Sequence, residues 1–272
     1  MLAENAAFVQ ELLVKHAGLS FFGEQSGVMA SRLALLAKLR NVESVDALVG
    51  SLRSSPSQGL IDSVIEALTT HETSFFRDRA AYSALADLIL PALVKRRGTQ
   101  RALSIWSAGC STGQEPYSVA LLLRELFPEL ARWHVRIWGT DVSRSVVERA
   151  REGVYSEFEV RRGLSAAACG KYFVPVGAKF QLRDSVRRMV TWDAMNLTAP
   201  WAAIGDFDLI LMRNVLIYFS SDVRSSTLAQ TASHLARDGY LLLGTSETTF
   251  GASTEFTPTL LQGATAYQRV AK

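Results

Sequence analysis

The first seventy residues carry apolar side chains three or four positions apart, which is the spacing of a helix face. Residues 54–57, with Pro56 among them, interrupt this pattern and predict the start of a further helix. The apolar positions fall into three groups: Phe8, Leu12 and Leu13; Val28, Leu33, Leu36 and Leu39; and Leu60, Val64, Ile65 and Leu68. We therefore predict that the N-terminal part of the chain is helical.

The pattern changes near residue 100, where short apolar runs begin to alternate with stretches of helical periodicity. We predict strands at 103–107, 135–139, 188–192, 207–212 and 240–244, and helices at 117–126, 146–151 and 223–235. Such alternation predicts an α/β fold in which helices cover both faces of a parallel sheet. Residues 154–185 differ, because they contain the short alternating segments 172–174 and 180–182, together with Gly170 and Gly177. They predict a small antiparallel insertion.

Composition limits the class of protein. Of 272 residues, 48% are apolar and 20% charged, which fits a globular chain and excludes disordered, collagen-like and coiled-coil proteins. The longest aliphatic run, at 119–123, is far shorter than the ~18–20 residues of a membrane span. Glu4, Glu11 and Lys15 break up the N-terminal apolar stretch, so it does not resemble a signal peptide. We expect a cytoplasmic protein without membrane insertion.

Cysteine content and net charge narrow the expected ligands. Cys110 and Cys169 are too few for a disulfide framework, and no spacing of cysteines or histidines predicts a metal site. A net charge of +3 is too small to indicate a nucleic-acid partner. The short basic clusters, such as Arg187-Arg188, are typical of a solvated surface. We expect neither a metal nor a nucleic-acid partner.

A loop of small residues follows the first predicted strand. Gly109 and Gly113 lie in it, and Pro116 stands where a first helical turn would begin. Glycines let backbone amides approach a ligand closely at the carboxyl edge of a sheet. The loop matches neither the Gly-x-Gly-x-x-Gly pattern nor a phosphate-binding P-loop. On the glycines alone, a tight strand-to-helix turn is the simpler interpretation.

Asp141 follows the second predicted strand and makes a ligand-binding loop more plausible than a simple turn. In doubly wound folds, a carboxylate at this position accepts hydrogen bonds from ribose hydroxyls. The alternative is that Asp141 caps the helix that follows. Together with the loop at Gly109, it favours ribose binding. A phosphate-free nucleoside cofactor such as S-adenosylmethionine fits, because the loop has no lysine to hold a phosphate.

Four motifs then resemble one family, the chemotaxis receptor glutamate methyltransferases (CheR family). They lie, in the order expected of the family, at 73–78 (TSFFRD), 106–118, 139–141 and 213–219 (RNVLIYF). The motif at 241–247 (LLLGTSE) also matches the strand-to-loop ending of that family. The resemblance covers nearly the whole chain. It implies a helical N-terminal domain with its linker at 1–78 and a class I (Rossmann-like) methyltransferase domain at 79–272. A small antiparallel β-subdomain is then inserted at about 154–187.

The resemblance also implies residues that contact S-adenosylmethionine: Thr73, Arg77, Gly109, Glu115, Asp141, Asn196, Leu197, Arg213 and Asn214. His71 stands where the family often has asparagine, and a neutral imidazole can likewise donate and accept one hydrogen bond. Tyr218 matches an active-site tyrosine, and we assign Arg77 to catalysis as well. The alternatives are a surface arginine that caps the preceding turn, a packed aromatic ring at Tyr218, and an ordinary polar loop start at 213–214.

The implied reaction transfers a methyl group from S-adenosylmethionine to glutamate side chains of chemoreceptor helices. It leaves S-adenosylhomocysteine and a methyl ester that serves sensory adaptation. One alternative is a non-catalytic module of the same fold that senses the cofactor. A second is a small-molecule acceptor, although a helical N-terminal domain favours a macromolecular one.

The insertion bears on how a receptor is recognised. Family members that bind a C-terminal tether peptide carry a Gly-x-Gly feature there, whereas residues 172–180 hold only Gly177. Pro175 also removes a backbone donor that strand addition would use. We therefore expect an enzyme that recognises the receptor helices without a tether. Separately, we expect a monomer. The sequence does not specify the receptor, its methylated glutamates or the output of the pathway.

Overall fold

The computed structural model describes residues 1–20, 25–202 and 204–270. The helices are α1 (Ala3–Ala17), α2 (Gln25–Leu39), α3 (Val45–Ser54), α4 (Gln58–Leu68), α5 (Arg79–Ala84), α6 (Leu90–Arg97), α7 (Gln114–Leu126), α8 (Arg144–Glu152), α9 (Glu157–Arg161), α10 (Ala166–Tyr172), α11 (Asp184–Arg187) and α12 (Ser221–His234). The strands are β1 (Ala102–Ala108), β2 (His134–Asp141), β3 (Val154–Ser156), β4 (Phe173–Val176), β5 (Lys179–Leu182), β6 (Val190–Ala194), β7 (Phe207–Met212), β8 (Leu235–Leu243), β9 (Phe256–Leu261) and β10 (Ala264–Arg269).

The helices α1 to α4 pack around one apolar core, as the N-terminal pattern predicts. Leu13, Leu33 and Val64 lie in this core and are fully buried. Ser57 caps α4, since its hydroxyl accepts a hydrogen bond from the amide of Leu60 at 3.3 Å. The predicted helix start after residues 54–57 is therefore confirmed.

The central sheet has the strand order β6-β2-β1-β7-β8-β10-β9. The first five strands in this order are parallel, and β10 pairs antiparallel with both β8 and β9. A second sheet, β3-β5-β4, is antiparallel and lies in the predicted insertion. The structure confirms the α/β class, a doubly wound Rossmann-like sheet and the small antiparallel addition.

Both faces of the large sheet are buried, because successive side chains of a strand point to opposite faces. Ile105 of β1 packs in the core that α7 covers, whereas Trp106 packs with Leu228 of α12 on the other face. Parallel strands that are covered in this way place their carboxyl ends along one edge, where ligands of such folds bind.

Two structured regions are absent from the sequence predictions. One is the helical segment from α5 to α6, which contains a π-helical turn at Leu85–Ile89. Pro91 has no amide hydrogen to donate to the carbonyl of residue 87, which accounts for the wider turn. The other is the C-terminal hairpin of β9 and β10. Across the three described ranges, no helix combines the length and apolar character that crossing a membrane requires.

Candidate active site

A cleft opens at the carboxyl ends of β1, β2 and β7, with about 1020 Å³ of empty space including the part open to solvent. The end of α1 and the linker after α4 form its opposite wall. Ten of the eleven predicted site residues line it: Thr73, Arg77, Gly109, Glu115, Asp141, Asn196, Leu197, Arg213, Asn214 and Tyr218. His71 is not among the lining residues, although its two neighbours in sequence are.

The loop after β1 follows β2 closely. The amides of Gly109 and Cys110 both donate to the carbonyl of Thr140 at 2.8 Å. Gly109 has φ +77°, and a Cβ atom there would lie 2.4 Å from Cγ2 of Val215. Glycine is therefore required at position 109 by both backbone conformation and space. Gly113 is the N-cap of α7, and Pro116 lies in its first turn.

Asp141 connects this loop to the start of α8. Its carboxylate accepts hydrogen bonds from the amide of Ser111 at 2.9 Å and from that of Ser143 at 3.1 Å. Burial raises the pKa of Asp141, and the two amides oppose that rise. The N-cap of α8 is Ser143, whose hydroxyl accepts from Val146, so the helix-cap interpretation of Asp141 is wrong. Each carboxylate oxygen retains acceptor capacity for a ligand hydroxyl.

Arg213 lies between two carboxylates and is only 3% exposed at its side chain. It is 3.3 Å from Asp78 and 3.3 Å from Glu115. Glu115 also accepts from the hydroxyl of Ser107 at 2.8 Å. Burial raises the pKa of Glu115, while the charge of Arg213 and the bond from Ser107 oppose that rise. This network therefore places two carboxyl groups around one guanidinium.

Asp78 has a role in this network that the sequence does not predict. The residue ends the motif at 73–78, of which the resemblance implies only Thr73 and Arg77 as site residues. Asp78 also accepts a hydrogen bond from the hydroxyl of Thr245 at 2.9 Å, which ties the linker to the loop after β8. An acidic residue beside an assigned arginine was the available signal.

Arg77 and Tyr218 both line the cleft, and each also makes the structural contact that the alternative interpretation predicts. Arg77 lines the cleft and also donates to the carbonyl of Glu72 at 2.8 Å, as the turn-capping alternative predicts. Tyr218 is half-buried and packs against two apolar cores while lining the cleft. Its carbonyl accepts from the amide of Ser20 at 3.1 Å. Its hydroxyl makes no hydrogen bond to any residue within the described ranges, so it is available to a ligand.

Asn196 and His71 differ in how far the protein satisfies their polar atoms. The Asn196 amide donates to the carbonyl of His16 at 2.8 Å, and its oxygen accepts from the amide and hydroxyl of Thr198. The side chain therefore fastens α1 to the loop after β6. Both ring nitrogens of His71 are buried without a partner, while its carbonyl accepts from the Ser111 hydroxyl at 3.1 Å. The imidazole therefore has no hydrogen-bond partner among the described residues, and it does not line the cleft.

The donor set fits a nucleoside cofactor. The carboxylates of Glu115 and Asp141 in the cleft suit ribose hydroxyls and a cationic tail, and the loop at Gly109 lets a ligand approach the backbone. Within residues 1–20, 25–202 and 204–270, no three histidine, cysteine, aspartate or glutamate side chains are grouped as metal ligands.

Comparison with known proteins assigns the family. Residues 71–263 match the model described as "CheR methyltransferase, SAM binding domain". The chain is 36% identical over 253 residues to chemotaxis protein methyltransferase 1 of Pseudomonas aeruginosa, covering 91% of this chain and 92% of that protein. It is 37% identical over 237 residues to a chemotaxis protein methyltransferase of Vibrio parahaemolyticus, covering 84% and 83%. The chain therefore belongs to the CheR family of methyltransferases.

Proposed function

We propose that this protein transfers the methyl group of S-adenosylmethionine to glutamate side chains of a chemoreceptor, forming methyl esters that adjust receptor signalling. The observation that carries the proposal is the cleft itself, in which acidic, amide and aromatic side chains from four of the motifs and from Asn196 meet at the carboxyl edge of the sheet. Support for the reaction class comes from the family and from relatives named as chemotaxis protein methyltransferases.

The cofactor is held mainly by carboxylates and backbone. Asp141 accepts from the ribose hydroxyls, and the loop at Gly109 allows close approach of the nucleoside. The network of Asp78, Arg213 and Glu115 offers two carboxyl groups against one guanidinium to a molecule whose sulfonium and ammonium groups are cationic. When bound, S-adenosylmethionine supplies a methyl group activated by the positive charge on sulfur.

The acceptor requires placement more than activation. A glutamate carboxylate has a pKa near 4.3 in water, so at neutral pH it is already the nucleophile and no general base is needed. In-line placement of its oxygen can contribute several kcal/mol, up to about 7–11 in favourable cases. The acceptor loses its charge as the ester forms, so a strongly bound carboxylate would be a poorer nucleophile.

Tyr218 and Arg77 are the residues we assign to that placement. Arg213 is already shared between two carboxylates, so it does not clamp the acceptor. The Tyr218 hydroxyl offers a single uncharged donor at the cleft wall. Arg77 keeps part of its guanidinium free beyond its bond to the Glu72 carbonyl, and it guides an anionic acceptor into the cleft.

The experiment is incubation with S-adenosylmethionine carrying a labelled methyl group and a cytoplasmic receptor fragment. We expect label on the fragment that mild base releases as volatile methanol. A protein that binds S-adenosylhomocysteine but labels no receptor fragment would instead be the non-catalytic sensor. Label on a small molecule alone would indicate the other alternative.

The domain organisation and setting are part of the proposal. We assign residues 1–78 to a helical domain with its linker and 79–272 to the methyltransferase domain, with the β-subdomain at about 154–187. The separate apolar core of α1 to α4 supports the first boundary. The protein acts as a monomer in the cytoplasm, where the signalling helices of receptors lie.

Receptor recognition is proposed to be independent of a tether peptide. Strand β4 is an edge of the small sheet, and Pro175 lies in it. The amide of Arg183 donates to the carbonyl of Tyr172 at 2.8 Å, so alternate residues from Tyr172 onward face β5. Position 175 therefore faces outward, and its missing amide hydrogen is one that an added strand would use.

A further inference from the structure

Glu247 lies in the loop after β8, and the residue is buried, with 9% of its surface exposed. It accepts hydrogen bonds from four backbone amides. One oxygen accepts from Asn214 at 2.7 Å and Gly244 at 2.7 Å, and the other from Val215 at 2.8 Å and Ile217 at 3.2 Å. Glu247 does not line the cleft, so it contacts neither a cofactor nor an acceptor.

Three of these amides belong to the segment 214–218, which follows β7 and ends in Tyr218. Asn214 has φ +60°, a left-handed conformation that is uncommon for residues other than glycine and that asparagine tolerates better than most. The amide of Tyr218 donates to the carbonyl of Val215 at 3.2 Å, closing a turn of 3-10 helix. The position of Tyr218 therefore depends on Val215, whose own amide Glu247 holds.

The site also requires the carboxylate's shape and charge. A Cβ atom on Gly244 would lie 2.7 Å from the Glu247 carboxylate and 2.9 Å from the amide nitrogen of Asn214, so glycine leaves the space that these contacts use. An ionised carboxylate offers only acceptors, whereas a glutamine would turn two donors toward amides that also donate. Charge-assisted bonds of this kind are about twice as strong as neutral ones.

We propose that Glu247 is a positioning residue for methyl transfer: it fixes the backbone of 214–218 so that the Tyr218 hydroxyl faces the acceptor carboxylate. The proposal deepens the proposed function and rests on it. Glu247 acts through the loop and takes no part in bond making.

The test is a double-mutant cycle with Glu247→Gln and Tyr218→Phe, with kcat measured on a receptor fragment at saturating S-adenosylmethionine. If Glu247 acts through Tyr218, Glu247→Gln lowers kcat by about tenfold or more in the wild-type background but less than about threefold beside Tyr218→Phe. Glu255→Gln is the matched control, because Glu255 lies in the same connection and its side chain makes no hydrogen bond among the described residues. That control keeps kcat within about twofold.

Amide hydrogen exchange gives a readout that does not depend on activity. In Glu247→Gln, the amides of Asn214, Val215 and Ile217 should exchange faster, while those of β7 keep their protection. Glu247→Asp keeps the charge and should recover part of the kcat that Glu247→Gln loses. This second variant keeps the test usable where Glu247→Gln folds poorly. Equal losses of kcat in both backgrounds, or unchanged exchange of the three amides, would overturn the proposal. A wild type that labels no receptor would defeat the proposed function while leaving the exchange result interpretable.

Discussion

Tyr218 either orients the acceptor carboxylate through its hydroxyl or serves only as a packed aromatic ring. Its hydroxyl is free among the described residues while its ring is packed, so Tyr218→Phe removes the donor and retains the packing. We expect a lower kcat with the affinity for S-adenosylhomocysteine nearly unchanged. Arg77→Ala should lower both, since Arg77 also holds the linker at Glu72. Kinetics measures kcat, and calorimetry measures the affinity for S-adenosylhomocysteine. Full activity of Tyr218→Phe would show that Tyr218 is only a packing residue.

The buried carboxylates of Glu115 and Asp141 make cofactor binding depend on pH. Burial raises the pKa of both groups, so the folded state binds their protons more tightly than the unfolded state does. Their contribution to stability is therefore greatest below the unfolded pKa values and declines as pH rises through the window up to the folded values. Ribose hydroxyls and an ammonium group favour the ionised forms, so S-adenosylhomocysteine should bind more tightly with rising pH in that window and release protons.

Calorimetry in two buffers of different ionisation enthalpy counts those protons. Asp141→Asn should release fewer and bind about 1–3 kcal/mol more weakly, because ribose contacts are lost. Asp206→Asn, at an exposed position outside the cleft, is the matched control. Proton uptake on binding by the wild type would contradict the assignment of both carboxylates.

At the scale of elements, the junction between the loop after β1 and the loop after β7 depends on Gly109. Gly109→Ala places a methyl group against Val215 and forces a residue other than glycine into φ +77°. Overpacking of this kind costs about 1–3 kcal/mol, which lowers the melting temperature by about 3–10 °C in a chain of this size. We expect weaker cofactor binding as well. Gly170→Ala meets open space and should change neither; equal effects of both variants would contradict this account.

The elements that the sequence predicts well are those with regular periodicity. Strand β7 matches its predicted bounds, and polar residues after strands meet at the carboxyl edge because parallel strands must end there. Strand β9 has only Phe256 fully buried, so it shows no alternation that would predict a strand. The helical segment from α5 to α6 is not predicted, because Pro91 is typical of a helix break. Glu247 ends the motif at 241–247, but the sequence does not predict its role, because a carboxylate that accepts from four backbone amides has no characteristic sequence pattern.

At the scale of the whole molecule, the blunted edge of β4 predicts how the receptor is found. Deleting the C-terminal tail of a receptor should leave its rate of methylation unchanged, because we propose that the enzyme recognises the methylation helices without the tail. The control is a tether-dependent relative assayed on the same pair of receptors. Low-micromolar binding of an isolated tether pentapeptide, or loss of methylation on tail deletion, would show that this edge does accept a strand.

We propose that the cleft transfers methyl groups to glutamate carboxylates of a receptor. The most direct measurement is mass-spectrometric mapping of a receptor fragment after incubation with S-adenosylmethionine and either wild type or Tyr218→Phe. We predict the added methyl groups on glutamate side chains, removed by mild base, and far fewer of them with the variant. Methyl groups that resist base, or that lie on lysine or arginine, would contradict the account.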